Sequence, residues 1–365
     1  MDDVEINTKD DFNKTPLLWA TAGEHTEVVK LLLDSESIDS HTVDNFGQSP
    51  LWWAVETENE VVVELLFHRD PNIRNNISQT ILRKALHKGN RRMFEALLSK
   101  SDVDLNAVDD DGQTLLLWAT KRGDAVTVKT LLALNKSFDV NTQGQEPRTP
   151  LWWAVTMGNE EITRLLLCSE GVDINSKSIH GQTPLWCAIS TGRLSILTIL
   201  LREEGIKVNG IDRSGRTPLL LAEYYRWQSR TLREKETAAN GAEKIIDLLL
   251  LKCINVNAVD AASRTALAIA AKKGQSGVAE RLLTVENIDV TLQDKDGATA
   301  LWHAVDNRSE SIVSLLLAHA DNEVNTRNDV DQSPLLIATI YGYTEIFRLL
   351  LDEDGIDING TDLIG

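Results

Sequence analysis

Apolar residues recur along this chain in pairs of short runs at helical spacing. Between Thr183 and Asn209, Leu185, Ala188 and Ile189 form one stripe, and Ile196, Ile199, Leu200 and Leu201 form a second. Thr183 stands where a hydroxyl can cap free backbone N–H groups. Pro184 takes the first helical position, where no N–H is needed. Gly192 separates the stripes and Gly205 closes the second, as glycine does where a chain turns left-handed. Ile206-Lys207-Val208-Asn209 then alternates like a short extended arm, and Asp212-Arg213-Ser214-Gly215 turns the chain. The pattern predicts helix, turn, helix, hairpin.

That unit is written ten times. Thr-Pro-Leu or Ser-Pro-Leu begins at 15, 49, 149, 183, 217 and 333, and degenerate copies begin at Thr80, Thr114, Thr265 and Thr299. The step from Thr15 to Ser49 is 34 residues and recurs at most junctions. A fixed period of this size predicts an all-α solenoid with short β-hairpin loops, read as one array over residues 1–365. No single unit can bury its apolar faces alone, so stacked neighbours must share one continuous core. Such an array offers a long surface to partners and no deep pocket for chemistry.

The residues resemble the ankyrin repeat, whose pattern is an Asp-x-x-Gly-x-Thr-Pro-Leu start, a Val-Val-x-Leu-Leu-Leu second helix and an Asp-Val-Asn tail. Here the second helix reads Val28-Val29-Lys30-Leu31-Leu32-Leu33, and tails read Asp139-Val140-Asn141 and Val172-Asp173-Ile174-Asn175. The resemblance implies protein–protein recognition and names no partner. Tryptophan replaces the usual histidine after Pro-Leu, as in Leu51-Trp52-Trp53-Ala54 and Leu151-Trp152-Trp153-Ala154. In this the chain is similar to the Trp-rich ankyrin arrays of filamentous fungi. Those stand alone or form the C-terminal part of NACHT-type signalling ATPases.

Several places depart from the pattern. The third copy lacks the proline and carries Arg83 and Lys84 where others place apolar residues. It reads either as drift at a tolerated site or as a soft joint in the array. From Thr217 to Thr265 is 48 residues, 14 beyond the period. The insert, about 226–240, is expected to lengthen the first helix or both helices, with Asn240-Gly241 as a turn. It carries Arg226, Trp227, Arg230, Arg233 and Lys235, and reads as a solvated extension or a docking spur. Val4-Glu5-Ile6-Asn7 and Asp362-Leu363-Ile364-Gly365 read as partial repeats at the two ends, which makes a fragment of a longer array one expectation and degenerate caps the other.

The formal charge of −18 argues against nucleic acid and anionic membrane surfaces as partners. No apolar run could span a bilayer. The start, Met1-Asp2-Asp3-Val4-Glu5, does not read as a secretory signal. The three cysteines, Cys168, Cys187 and Cys253, fall in different repeats without metal-ligand spacing, which fits a reducing intracellular compartment. The expectation is a cytoplasmic monomer, the nucleus remaining open. There is no phosphate loop, no His-Glu-x-x-His and no Cys-x-x-Cys, and Asp109-Asp110-Asp111 lacks the other ligands of a calcium loop. No catalytic residue, cofactor or metal site is expected.

The remaining chemistry is aromatic. Counted from each Thr or Ser, Leu at +2 and Ala at +5 face the core, while +4, +7 and +8 turn away toward the concave side. Trp19, Trp53, Trp118 and Trp153 stand at +4, and Trp52, Trp152, Trp186 and Trp302 at +3. They serve either as packing between repeats or as the floor of a peptide-binding groove. With hairpin tips and +7 and +8 positions added, the candidate partner-binding residues are Phe46, Trp53, Trp118, Trp153, Met157, Ile179, His180, Tyr224, Tyr225, Trp227 and Tyr341. The main interface is expected between Met157 and Trp227. The leading function is a non-enzymatic scaffold binding a protein partner through its groove. The other readings are the sensing array of a larger signalling ATPase and an effector that mimics host scaffolds.

Overall fold

The computed structural model describes residues 5–70, 79–99, 104–109, 111–134, 139–225, 232–319 and 323–359, with the side chains of 79, 223–225 and 232–240 left aside. Among these residues are twenty helices, from α1 (Pro16–Ala22) to α20 (Thr344–Leu351), and no strand. The protein is an all-α repeat solenoid. It divides into two compact units, one of residues 1–118 with 136–145 and one of 119–135 with 146–365.

Each repeat begins as its sequence dictates. The hydroxyl oxygen of Thr15, Ser49, Thr149, Thr183, Thr265, Thr299 or Ser333 accepts from the backbone N–H three residues on, capping the first helix. The +2 leucines and +5 alanines are buried throughout. The expected β-hairpins are not strand ladders: one isolated bridge, Val259 to Thr265, is the nearest approach among the described residues. Carboxylates close these loops instead. Asp44 Oδ1 accepts from the amides of Phe46 and Gln48, each at 2.9 Å, and Asp10, Asp212, Asp260 and Asp294 do the same in their repeats. The side chain supplies the acceptor that a paired strand would have given.

Asparagines of the tails tie each repeat to the next. Asn7 Nδ2 donates to Ser37 O at 2.7 Å, and its Oδ1 accepts from Asp39 N at 2.9 Å. Asn175, Asn209, Asn257 and Asn325 repeat this two-point clamp.

The insert behaves differently from expectation. The helix before it, α13 (Pro218–Tyr225), keeps the ordinary eight residues, and α14 (Leu232–Leu250) runs to 19. Among the described residues it is the second helix that is lengthened, at its start, and Asn240-Gly241 lies inside it rather than in a turn. Ala242, Ile245, Ile246 and Leu249 are buried on one face, which holds the helix through a glycine that costs about 1 kcal/mol. Residues 226–231, with Arg226, Trp227 and Arg230, lie outside the described residues, as do 1–4 and 360–365 at the ends.

Candidate partner-binding surface

The +4 position does not uniformly face outward. Trp19 is 50% exposed and Trp53, Trp118 and Trp153 are half-buried, but Cys187, Leu221, Ile269, His303 and Ile337 at the same place are buried. First helices of adjacent repeats pack side by side, for example α15 (Ala266–Lys272) on α17 (Ala300–Asp306), and +4 lies against that neighbour.

The +4 ring also has a fixed partner nine residues earlier. Trp19 Nε1 donates to Asp10 Oδ2 at 2.8 Å, Trp53 Nε1 to Asp44 Oδ2 at 3.2 Å, and His303 Nε2 meets Asp294 Oδ2 at 2.7 Å. Thus one carboxylate closes the hairpin with Oδ1 and anchors the helix with Oδ2. Where +4 is Leu221 or Ile269, an arginine just before the repeat start takes over: Arg216 on Asp212 and Arg264 on Asp260, through Nε and a terminal nitrogen each. Nine residues before Trp153 stands Gly144, which offers no carboxylate, and the Trp153 Nε1 is buried without a partner. A Cβ at Gly144 would come within 2.9 Å of Leu117 Cδ2, a close approach that favours glycine there.

Cations cover most of the indole faces. Lys14 Nζ lies 4.5 Å from the Trp19 ring and 4.3 Å from the Trp53 ring. Lys121 stands over Trp153 at 4.5 Å, Arg148 over Trp152 at 4.2 Å, and Lys84 over Trp52 at 4.7 Å. Trp302 Nε1 donates across to Gln332 O of the next repeat at 3.1 Å. Arg83 occupies the same +3 slot and makes the same link, Nη2 to Gln113 O at 2.8 Å, and adds an ion pair with Asp109. That pair holds the Asp109 carboxyl below its ordinary range against the opposing effect of burial. Lys84 and Lys88 likewise both pair with Glu56 of the repeat before. The third copy is therefore bonded to both neighbours.

The remaining candidates fall as follows. Phe46 is 79% exposed at a hairpin tip of the first unit. In the second unit Met157, Ile179, His180 and Tyr341 are exposed. Tyr224 and Tyr225 end α13, their side chains lying outside the described residues together with Trp227. A recurrence the sequence reading missed is the hairpin residue just before the loop aspartate, Val43 and Val108 in the first unit and Ile211 and Val259 in the second, all exposed. Their signal was an apolar residue recurring beside the hairpin turn. No group of three or more His, Cys, Asp or Glu side chains among the described residues is arranged to hold a metal ion.

A family model described as ankyrin repeats (three copies) matches residues 2–77, 81–178, 170–231, 236–328 and 275–362. The chain belongs to the ankyrin-repeat family. Curated relatives of this ankyrin-repeat chain include proteins named palmitoyltransferase AKR1. That of Candida glabrata is 35% identical over 71 residues, 20% of this chain and 9% of the relative. That of Lachancea kluyveri is 25% identical over 169 residues, 45% of this chain and 18% of the relative. That of Saccharomyces cerevisiae is 35% identical over 72 residues, 20% of this chain and 9% of the relative. The chain thus matches less than a fifth of the length of each of these relatives. No helix among the described residues is long and apolar enough to cross a membrane.

Proposed function

We propose that this ankyrin-repeat chain is a non-enzymatic scaffold that binds a protein partner, and that the contact runs through the hairpin tips and +8 positions of the second unit. The observation that carries this reading is a set of exposed apolar side chains, Met157 at +8 and Ile179, Ile211 and Val259 on three successive hairpins, beside the exposed His180. Exposed apolar side chains recurring on successive repeats are the composition of a recognition surface. Trp153, its ring under Lys121, supports that surface within the second unit, and Trp53 and Trp118, under Lys14 and Arg83, hold the frame of the first unit. Tyr224, Tyr225, Trp227 and Tyr341 extend the proposed contact toward the insert and the last repeat. Phe46 offers a second contact in the first unit.

The free thiols of Cys168, Cys187 and Cys253 support an intracellular, cytoplasmic setting. The net charge of −18 favours a basic partner surface over nucleic acid or a membrane. A second reading, the recognition array of a larger signalling protein with catalysis elsewhere, is favoured by one observation: in the relatives the matched segment is 9–18% of a longer chain. The test is a Met157→Ala/Ile179→Ala/Ile211→Ala variant that keeps the native circular dichroism spectrum. A partner captured by the wild type is expected to be lost by the variant, and undiminished capture contradicts the placement.

A further inference from the structure

Gln275 stands at the N-cap of α16 (Ser276–Leu283) and is only 3% exposed, and among the described residues no protein group bonds its Oε1 or its Nε2. At the same place in other repeats Asn59, Asn90, Asp124 and Asn159 are half-buried, and each accepts the amide three residues on. Glutamine is one methylene longer than asparagine and makes no such cap here. The Val278 amide bonds the Gln275 backbone oxygen instead, at 3.2 Å. A buried side-chain amide without partners is rare, because the bonds it gave up to water are not replaced.

Gln275 lines a pocket of about 180 Å³ together with Ala242, Glu243, Ser276, Gly277 and Val278. That is more than a single water needs. The pocket lies between α14 and the start of α16, two helices that pack on each other. A Cβ at Gly277 would collide with Glu243 Oε1, so glycine lets the carboxylate approach the helix start. Glu243 Oε2 pairs with Arg281 Nη2 at 3.1 Å, and Arg281 is itself held by Asp247 Oδ1 and Gly277 O, each at 2.7 Å. The carboxylate is thus fixed with Oε1 toward Gly277. The amides of Ser276 and Gly277, at the first two positions of the helix, have no partner within it.

We propose that this pocket binds a primary carboxamide, presented by the protein partner as an asparagine or glutamine side chain. The proposal rests on reading the chain as a binding scaffold, and the pocket follows directly on Lys273, the +8 position of its repeat. The pocket combines donors, Gln275 Nε2 and the amides of the helix start, with acceptors, Gln275 Oε1 and Glu243 Oε1. A carboxamide answers both sets, since its oxygen accepts and its NH2 group donates. A carboxylate would meet the like charge of Glu243. An ammonium group would meet the positive end of α16 and leave Gln275 Nε2 without an acceptor.

Titration of propionamide into the isotope-labelled full chain tests this, read by NMR at the Gln275 side-chain NH2 and at the Ser276 and Gly277 amides. Propionate and propylammonium, at equal ionic strength, are the charged counterparts. A saturable shift at these signals is expected with propionamide and with neither ion. In Gln275→Leu the shift of the Ser276 and Gly277 amides is expected to vanish. The urea midpoint of that variant is expected to hold or rise, because an unbonded buried amide has been removed. The shift is expected to persist in Met157→Ala/Ile179→Ala/Ile211→Ala, so failure of the pocket and failure of the hairpin-tip contact are told apart. Shifts that grow linearly with all three compounds would mean that the pocket holds solvent only, and they overturn the proposal. So does a saturable shift with propionate or propylammonium, or a propionamide shift that survives Gln275→Leu.

Discussion

His303 Nε2 lies 2.7 Å from Asp294 Oδ2, and both side chains are only 3% exposed. Burial depresses the imidazole below its ordinary value of 6.5, against the opposing pull of Asp294. Burial would raise the Asp294 carboxyl, but the bonds from His303 and the amides of Ala298 and Asp296 outweigh it and hold that group below its ordinary value of 3.8. The resident state is a neutral imidazole donating to a carboxylate. On acidification the unfolded chain takes up a proton at the ordinary imidazole value before the folded chain does. The folded state therefore loses stability as pH falls below about 6.5, and Asp294 adds a further loss below about 4. A His303→Gln variant is expected to show a flatter urea midpoint between about pH 7 and pH 5 than wild type. A His303→Leu variant, which offers Asp294 no donor, is expected to be weaker by about 1–3 kcal/mol at neutral pH. Identical pH profiles would contradict the assignment.

Arg83 supplies the second prediction. It bonds Gln113 O and Asp109 from the slot where Trp302 bonds Gln332 O. Arg83→Ala is expected to lower stability by about 1–3 kcal/mol. Arg83→Trp is expected to recover part of that loss, because an indole N–H reaches the same carbonyl in another repeat. Hydrogen exchange over residues 79–99 is the readout. Protection no lower in Arg83→Ala than in wild type would show that the link is idle.

Cysteine reactivity is the third. Burial pushes the Cys187 thiol up to about 12, with Thr156 and Arg148 pulling weakly the other way. A thiol at that value carries almost no thiolate at neutral pH. Cys168 and Cys253 are exposed. A thiol reagent is expected to modify those two quickly and Cys187 only as the protein unfolds. Three equal rates would contradict the burial of α11 (Pro184–Ser190).

Most of the fold was legible because it rests on short-range chemistry. Thr183 and Pro184 specify a helix start, and Leu185 and Ala188 at helical spacing specify its buried side, with no knowledge of distant residues. The side-chain ties were harder. Asp10 with Trp19, Asp44 with Trp53 and Asp294 with His303 share a nine-residue spacing that was open to inspection, yet the spacing has meaning only once the hairpin folds back beside its helix. Arg83 was misleading for a related reason. A charge at an apolar position reads as a defect until Asp109 of the next repeat is seen beside it. The insert was expected to lengthen the first helix or both helices, yet the described residues lengthen the second, because Asn240-Gly241 favours a turn locally while Ala242, Ile245 and Ile246 bury a continuous face. The surface was least legible, since exposure of Ile211 or Val259 depends on how neighbouring hairpins stand.

Site-specific photocrosslinking tests the central claim most directly. A photoreactive residue would be placed singly at Met157, Ile179 or Ile211, and at Arg164, an exposed position on the second helix α10 (Glu160–Leu167) of the same repeat as Met157. Binding through hairpin tips and +8 positions predicts that the first three join covalently to the same protein partner and that Arg164 does not. Crosslinks from Arg164 to that partner, with none from the other three, would contradict the account.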